Sequence, residues 1–273
     1  MPTSKSSPPG RRRATSRLRA WSVLFFLIWT AGTGADARAA DALAPMDYEA
    51  PRVLTGMIYA KESEPRQPLF SFRRTSVRTG TRVEVLREYH TPDGTLAARE
   101  RVTYEGSQLV SFELEDLRSG DKGKAVWPPA SGGRGDRVRF EFAAGGHAAA
   151  ADEEKLRPDT LVNDMLPGFM VAHWTNLMAG THVKFRFVAL ARMETVGFEL
   201  FKDGETTHRD QPVVRLRMEP SSVVIARFVE PLYFLVEPGG AHRILEYTGR
   251  TTPRVKAGKQ WKDLDARTVF GWE

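Results

Sequence analysis

The 273-residue chain contains no cysteine, which removes several classes of site at once. Without a thiol there is no disulfide, no Cys–His nucleophile and no thiolate metal ligand. A lipoprotein-type lipid anchor, which needs a cysteine directly after the export signal, is excluded as well. A chain of this length buries a core without disulfides, so we expect packing alone to hold the fold.

Motifs for hydrolysis, phosphate binding and metal binding are also missing. There is no Gly-x-Ser-x-Gly elbow, and the Gly132-Gly133 and Gly239-Gly240 pairs lack the Lys-Ser/Thr of a phosphate loop. No two histidines have metal-ligand spacing such as i, i+4 on a helix. We therefore expect no metal, no cofactor and no enzymatic activity. The six histidines are His90, His147, His173, His182, His208 and His242.

Long apolar runs are scarce, and the most telling one lies in residues 21–31. Basic residues precede it and small residues follow it, which is the order of a cleavable Sec signal. The run is shorter than the roughly 20 residues of a spanning helix, so we expect no permanent membrane span. These flanking residues are Lys5, Arg11, Arg12, Arg13, Arg17 and Arg19, then Ala35, Ala37 and Ala39. We predict a signal at 1–39, cleavage between Ala37 and Ala40, and a periplasmic or secreted protein.

The mature chain has almost no net charge. The whole chain has 40 Lys+Arg and 34 Asp+Glu. Residues 1–37 hold six of the basic residues and one acidic residue, Asp36, which leaves 34 basic against 33 acidic residues. The apparent basic character, which would otherwise indicate nucleic acid, belongs mostly to the signal. We therefore expect no nucleic-acid partner.

Residues 53–140 alternate apolar and polar side chains with a period of two. Val83, Val85 and Tyr89 are typical of this pattern, and Thr91-Pro-Asp-Gly94 indicates a hairpin turn. The intervening Arg, Glu, Thr and Ser predict antiparallel strands with one dry and one wet face. Strand patterns resume after residue 180, with turns predicted at Lys202-Asp-Gly204 and Pro238-Gly-Gly240.

The period changes at residues 159–178, where we predict a helix that ends at Gly180. Met170, Trp174, Leu177 and Met178 fall on one face at i, i+4, i+7 and i+8. Pro167-Gly168 is expected to split or kink this helix. Two segments stay open: 221–228 fits a short helix or a strand, and 256–273 fits a last strand or a partner-binding tail.

Together these elements predict a mainly β, α+β fold of about nine to eleven antiparallel strands. A sheet this large curls, and the helical segment is the natural cover for its concave face. We expect one domain at residues 40–273, built as a curved sheet or half-barrel with a helical insert at 159–178.

Apolar side chains of the helix and the nearby strands form the candidate ligand site. They predict either a packed core or, if the sheet is strongly curved, a groove for an acyl chain or another apolar ligand. Methionine suits such an adaptable surface. The candidate residues are Phe169, Met170, Trp174, Met178, Phe185 and Phe187.

The run from Leu232 to Arg250, followed by Ala257-Gly-Lys259, resembles the closing hairpin of exported bacterial proteins of the DUF3108 type. The likeness covers residues 160–260. Those proteins look similar to the lipoprotein-carrier and lipoprotein-sorting-factor fold, so the resemblance implies an antiparallel half-barrel with helices on its concave face. It transfers no functional residues.

The leading hypothesis is a non-enzymatic envelope protein that binds an apolar ligand or a partner protein on the concave face. Two alternatives stay open. One is a periplasmic hydrolase that uses His173 with a carboxylate brought near by the fold, although the visible pair Glu113 and Glu115 reads as solvated charge. The other is a purely structural envelope component with a closed groove.

Overall fold

The computed structural model describes residues 47–61, 67–130, 133–134, 136–157, 159–227 and 229–272. The predicted signal at 1–39 lies outside these residues. Strands of the first half are β1 (Val53–Ala60), β2 (Phe70–Thr79), β3 (Arg82–His90), β4 (Leu96–Glu105), β5 (Gln108–Asp116), β6 (Asp121–Val126), β7 (Pro129–Ala130), β8 (Gly133–Arg134), β9 (Arg137–Ala143) and β10 (Ala150–Lys155). Strands of the second half are β11 (Thr160–Leu161), β12 (Val183–Ala189), β13 (Glu194–His208), β14 (Gln211–Pro220), β15 (Leu232–Val236), β16 (Ile244–Ala257) and β17 (Gln260–Trp272).

The helices are short. They are α1 (Leu166–Ala172), α2 (Trp174–Met178), α3 (Val223–Ala226) and two 3₁₀ turns at Asn163–Met165 and Leu190–Arg192. Within the described part of the chain, no helix combines the length and hydropathy of a membrane span.

Fifteen strands form one sheet, in the order β10-β9-β6-β5-β4-β3-β2-β1-β17-β16-β15-β14-β13-β12-β11. Each half of the chain is therefore a meander, and the halves meet at the antiparallel β1–β17 pair in the middle of the sheet. The sheet is mixed, because β11 runs parallel to β12. The small hairpin β7–β8 lies outside it.

The sheet curls without closing. Strand β16 contacts β4 and β5, although five strand positions separate β16 from β4. The two ends of the sheet also approach each other at what we call the seam, where β10 contacts β13. There the Glu154 carboxylate on β10 accepts hydrogen bonds from the Thr195 backbone N–H, at 3.2 Å, and from the Thr195 hydroxyl on β13. Side chains join the seam where a backbone ladder is missing.

Two apolar clusters fill the inner side of the sheet. The smaller one lies among β1, β2, β3, β4 and β17 and includes Leu54, Phe72 and Tyr89. The larger one draws on both halves of the sheet and on the helices, and it includes Val85 and Phe169. Helical side chains thus share a core with strand side chains; that the helices cover the concave face as a whole remains a prediction.

The outer face carries rows of opposite charge. Arg99, Glu115 and Lys122 lie side by side on β4, β5 and β6, and Glu115 pairs with both cations at 2.6 and 2.8 Å. Glu113 pairs with Lys124 at 2.8 Å in the next row. These ion pairs lie in water, as the alternation of the strands predicts, and contribute little stability individually.

Several details differ from the predictions. The sheet has more strands than expected and one parallel pair. Pro167 lies in the first turn of α1, where a missing N–H is harmless, so the helical segment breaks at His173 instead. Residues Lys202 and Gly204 form a β-bulge inside β13, and the turn follows at Arg209 and Asp210, both with positive φ. Segment 221–228 contains the short helix α3, and 256–273 contains β17.

A candidate functional site inside the sheet

A row of charged residues crosses the inner face of three neighbouring strands. Arg74 on β2 lies opposite Arg87 on β3, which lies opposite Glu100 on β4. Directly opposed residues of antiparallel strands share a face, and Phe72, two residues from Arg74, is buried in the smaller cluster. Arg74 and Glu100 are 3% and 2% exposed, so the row is withdrawn from water.

The residues between β10 and β12 supply the second acid of this site. We call residues 159–182 the connecting segment; it contains β11, a 3₁₀ turn, α1 and α2. Its Asp164 meets Arg74 through two contacts, Nε to Oδ1 at 2.7 Å and Nη2 to Oδ2 at 3.2 Å. Tyr104 donates its hydroxyl to Oδ2 at 3.0 Å. The side chain of Asp164 is 4% exposed, so this is a buried, bidentate ion pair.

All three nitrogens of the Arg74 guanidinium donate hydrogen bonds. Besides holding Asp164, it donates to the backbone carbonyls of Tyr48, at 2.9 Å, and of Pro51. It therefore ties together the chain before β1, strand β2 and the connecting segment.

The Arg87 guanidinium, in contrast, has a donor without an acceptor among the described residues. Its guanidinium lies 3.5 Å from Glu100 and 3.6 Å from Asp164, longer than an ordinary hydrogen bond. Its Nε is buried and has no hydrogen-bond partner within the described structure. Arg87 also interacts with the Tyr89 side chain, and its Cζ lies 5.4 Å from the centroid of the Phe72 ring, so its unused donor capacity is limited to Nε and to the long carboxylate contacts.

Glu100 joins the connecting segment to the far side of the sheet. It accepts a hydrogen bond from Asn163 Nδ2 at 2.6 Å and another from the Thr252 hydroxyl. Thr252 lies at the bulge of β16 that bends this strand over β4. We call Arg74, Arg87, Glu100 and Asp164, with Tyr104, Asn163 and Thr252, the polar layer.

The polar layer separates the two apolar clusters. On β3, Tyr89 belongs to the smaller cluster and Val85 to the larger one, with Arg87 between them. The same order recurs on β4, with Ala98, Glu100 and Val102. A charged layer therefore lies between the two apolar clusters.

Two pKa shifts follow from this environment. Burial raises the pKa of the Asp164 carboxyl, but the charge and hydrogen bonds of Arg74, with smaller contributions from Arg87 and Tyr104, outweigh it and hold this pKa below its ordinary 3.8. Burial, and then the nearby Asp164 charge, raise the pKa of the Tyr104 hydroxyl well above its ordinary 10.0. Asp164 is thus an anion and Tyr104 a neutral donor at neutral pH.

We expect a pH-dependent stability difference between the wild type and Asp164→Asn. A carboxyl with a lowered folded-state pKa stabilises the fold above its unfolded pKa, and this contribution is lost as pH falls through the folded-state pKa. Urea unfolding should show a constant difference above about pH 5 that shrinks below about pH 4. The other charged groups of the layer are present in both proteins and cancel. A difference that persists undiminished at pH 2 would contradict this account.

The six predicted ligand residues lie in or against the larger cluster. Phe169 and Met170 are 0% exposed and Phe185 is 4% exposed. Trp174, Met178 and Phe187 are half-buried and pack against the cluster. The ring centroids of Phe169 and Phe185 lie 5.0 Å apart, so the connecting segment touches β12 directly. In this state all six contribute to a packed core.

His173 does not form a catalytic pair here. Its ring lies 4.4 Å from that of Phe169, and within the described residues it makes no side-chain hydrogen bond or ion pair. Partial burial lowers its pKa, opposed by the charge of Asp159. The next residue, Trp174, stacks on the ring of His242 at 4.0 Å. His173 and Trp174 therefore take part in aromatic packing.

Two surface clefts also occur, and neither is lined by a predicted ligand residue. One, of about 420 Å³, lies near the β13–β14 and β15–β16 turns and includes His208, Glu237 and Phe270. The other, of about 380 Å³, includes Tyr48, Arg78 and Ser107. Nowhere in the described ranges do three or more His, Asp or Glu side chains gather in an arrangement that could hold a metal.

Comparison with known proteins adds little to this geometry. No family model matches the chain, and no curated protein is similar to it. A crystal structure of a porin-like protein from Bacteroides uniformis ATCC 8492 aligns over 85% of this chain and 99% of its own, with 8% identity and a TM-score of 0.22. The resemblance to DUF3108-type proteins stays a prediction.

The polar layer was not predicted, although the sequence contains a signal for it. Arg87 falls in the apolar phase of its strand, between Val85 and Tyr89, and Glu100 falls between Ala98 and Val102. A charge in the buried phase of a strand indicates a buried partner. The identity of that partner, Asp164, depends on the path of the connecting segment.

Proposed function

We propose that this protein binds a single-chain apolar ligand inside its curved sheet, in the space that the connecting segment occupies in the present state. The protein acts as a non-enzymatic carrier in the cell envelope, to which the predicted export signal directs it. The ligand enters when the connecting segment leaves.

The observation that carries this proposal is the origin of the core. Seven buried side chains of the larger cluster belong to the connecting segment: Leu161, Val162, Met165, Leu166, Phe169, Met170 and Leu177. That segment connects β10, one end strand of the unclosed sheet, to β12, and it contributes β11, the strand at the other end. In this proposal the seam parts as the segment and its side chains withdraw.

Local structure favours such a motion. Helices α1 and α2 have seven and five residues, and neither has a side-chain cap. Isolated helices below about 12 residues are marginal in water, so this segment depends on its docking contacts. At the sheet edge it is held by β11, which pairs over only two residues.

Energetic balance indicates the size of the ligand. Each large apolar side chain gains about 1.5–3 kcal/mol on burial, so withdrawing the seven of the connecting segment loses roughly 10–21 kcal/mol. A buried methylene returns about 0.8 kcal/mol, so roughly 13–26 methylenes offset that loss. A long acyl chain meets this requirement. Phe185 and Phe187, which lie on β12 and stay with the sheet, would form its wall, whereas Trp174 and Met178 would leave with the connecting segment.

Crosslinking across the seam tests this function. The chain lacks cysteine, so Glu154→Cys with Glu194→Cys, next to the Glu154–Thr195 contact, can be joined selectively by a flexible bis-maleimide. The native protein should take up pyrene-labelled dodecanoic acid or dodecanol and yield lipid in native mass spectrometry. We expect crosslinking to slow uptake at least about 10-fold, because a loss of 1.4 kcal/mol in opening already gives that factor.

A matched control uses two opposed outer-face residues of the same half, Arg101→Cys and Glu113→Cys. This crosslink does not span the seam and should leave uptake unchanged. Failure of the native protein to bind either labelled chain would overturn the function. Equal uptake by both crosslinked proteins would overturn access through the seam.

A further inference from the structure

We propose that the ligand's head is a carboxylate that takes the position of the Asp164 side chain between Arg74 and Arg87. This inference rests on the proposed function and specifies which amphiphile the interior accepts. It is derived from the charges of the polar layer, which the apolar lining alone does not determine.

The charge balance of the polar layer favours an anionic head. Two guanidiniums, Arg74 and Arg87, face two carboxylates, Glu100 and Asp164. Glu100 belongs to the sheet and stays, whereas Asp164 belongs to the connecting segment and leaves with it. Withdrawal would leave one buried positive charge uncompensated, which is strongly unfavourable away from water. An anionic head restores the balance, and a neutral one does not.

The hydrogen-bond donors around Asp164 are arranged to bind a carboxylate. Arg74 presents Nε and Nη2 to the two oxygens at 2.7 and 3.2 Å, and the Tyr104 hydroxyl adds a third donor at 3.0 Å. Parallel donors of this kind match a planar carboxylate. Arg74 also donates hydrogen bonds to the Tyr48 and Pro51 carbonyls, and these bonds hold its guanidinium in place when Asp164 withdraws.

Arg87 has donor capacity that a ligand head can use. Its contacts to the two carboxylates are long, at 3.5 and 3.6 Å, and its buried Nε has no partner. Asp164, bound to the backbone of the connecting segment, does not satisfy it. The head of a free ligand has no such tether, so it can approach Arg87 more closely than Asp164 does.

Charge also selects the class of anion. Asp164 contributes one negative charge, which a carboxylate reproduces. A phosphate monoester carries about −1.5 to −2 at neutral pH and would overcharge a layer that already contains Glu100. The position of the layer then orients the ligand: its head lies between the two apolar clusters, and its tail runs into the larger one, where Phe169 and Met170 lie now.

The experiment compares ligands that share one chain and differ in their heads. Oleic acid, oleyl alcohol and oleyl phosphate are titrated by displacement of pyrene-labelled dodecanol from the native protein. We expect oleic acid to bind roughly 10–100-fold more tightly than the alcohol, the range for a hydrogen bond to a charged group. Oleyl phosphate should bind more weakly than oleic acid.

Variants then locate the head. Arg87→Gln removes the underused cation and should bring the acid and the alcohol to within about threefold of each other, because the charge preference is lost. Asp164→Asn weakens the docking of the connecting segment, so it should raise the affinity for the acid and for the alcohol alike, by about 10-fold, and leave the acid preference in place. Arg73→Gln is the matched control, since Arg73 is the exposed neighbour of Arg74 on the opposite face of β2. Circular dichroism confirms that each variant is folded.

The outcomes separate the two proposals. Absence of binding by all three ligands overturns the proposed function itself. Equal binding of acid and alcohol by the native protein keeps the function and overturns the carboxylate head. Tighter binding of the phosphate overturns the carboxylate class, and an acid preference that survives Arg87→Gln overturns the assigned position.

Discussion

Replacing Asp164 with alanine is expected to lower the free energy of unfolding by about 3–5 kcal/mol, the range for breaking a buried ion pair from one side. The loss is large because Arg74 remains buried with its two carboxylate contacts gone, and Arg87 loses one of its two nearby anions. Tyr104 loses its acceptor in the same step. Urea unfolding at neutral pH measures the effect.

The matched control for this substitution is Asp152→Ala, on the exposed edge strand β10. An exposed carboxylate of this kind should change stability by no more than about 0.5 kcal/mol. If Asp164→Ala behaved like the control, the polar layer would be hydrated rather than buried. Saturating oleic acid should restore part of the loss in Asp164→Ala, because a ligand that binds the folded state stabilises it by mass action.

A second large effect is expected for Phe169→Ala, which should cost about 3–5 kcal/mol. Phe169 is 0% exposed, and its ring packs against Phe185 and His173. Removing it leaves a cavity between the connecting segment and β12. The midpoint of urea unfolding should fall while the far-ultraviolet circular dichroism of the folded protein stays unchanged.

Val171→Ala is the control on the same helix, since Val171 is 46% exposed. It should shift stability by about 0.5 kcal/mol or less. Both substitutions raise helix propensity, so a comparable loss in the two variants would contradict the assignment of Phe169 to a tightly packed core. Under the proposed function Phe169→Ala should also bind the labelled chains more tightly, because less apolar surface has to be withdrawn to admit them.

Much of the fold could be predicted because strands and hairpins are local. Period-two alternation placed β3, β4 and β5 close to their observed bounds, and the turn at Thr91–Gly94 follows from its own residues. The bulge at Lys202–Gly204 was mistaken for a turn, because Asp-Gly suits both and only the pairing of β13 with β14 distinguishes them.

The site was harder to predict, for a physical reason. Residues such as Phe169 and Met170 were recognised as apolar and inward-facing, and they are buried. The partners of Arg74 and Arg87 lie 90 and 77 residues away in sequence at Asp164, and no local pattern encodes that distance. A charge in the buried phase of a strand indicates that a partner exists without indicating where.

The pairing of β1 with β17 also determines the order in which this molecule is completed. The hydroxyl of Thr55 bonds the carbonyl of Gly271 across a separation of 216 residues, at the centre of the sheet rather than at its margin. Each meander can form from nearby hairpins, but the ladder between them has to wait for the last strand of the chain. Such distant pairings make folding slow, because loop-closure entropy is lost before any contact compensates for it. A chain that emerges from its first strand onward therefore builds its first meander outward from β1 and completes the central β1–β17 pair last.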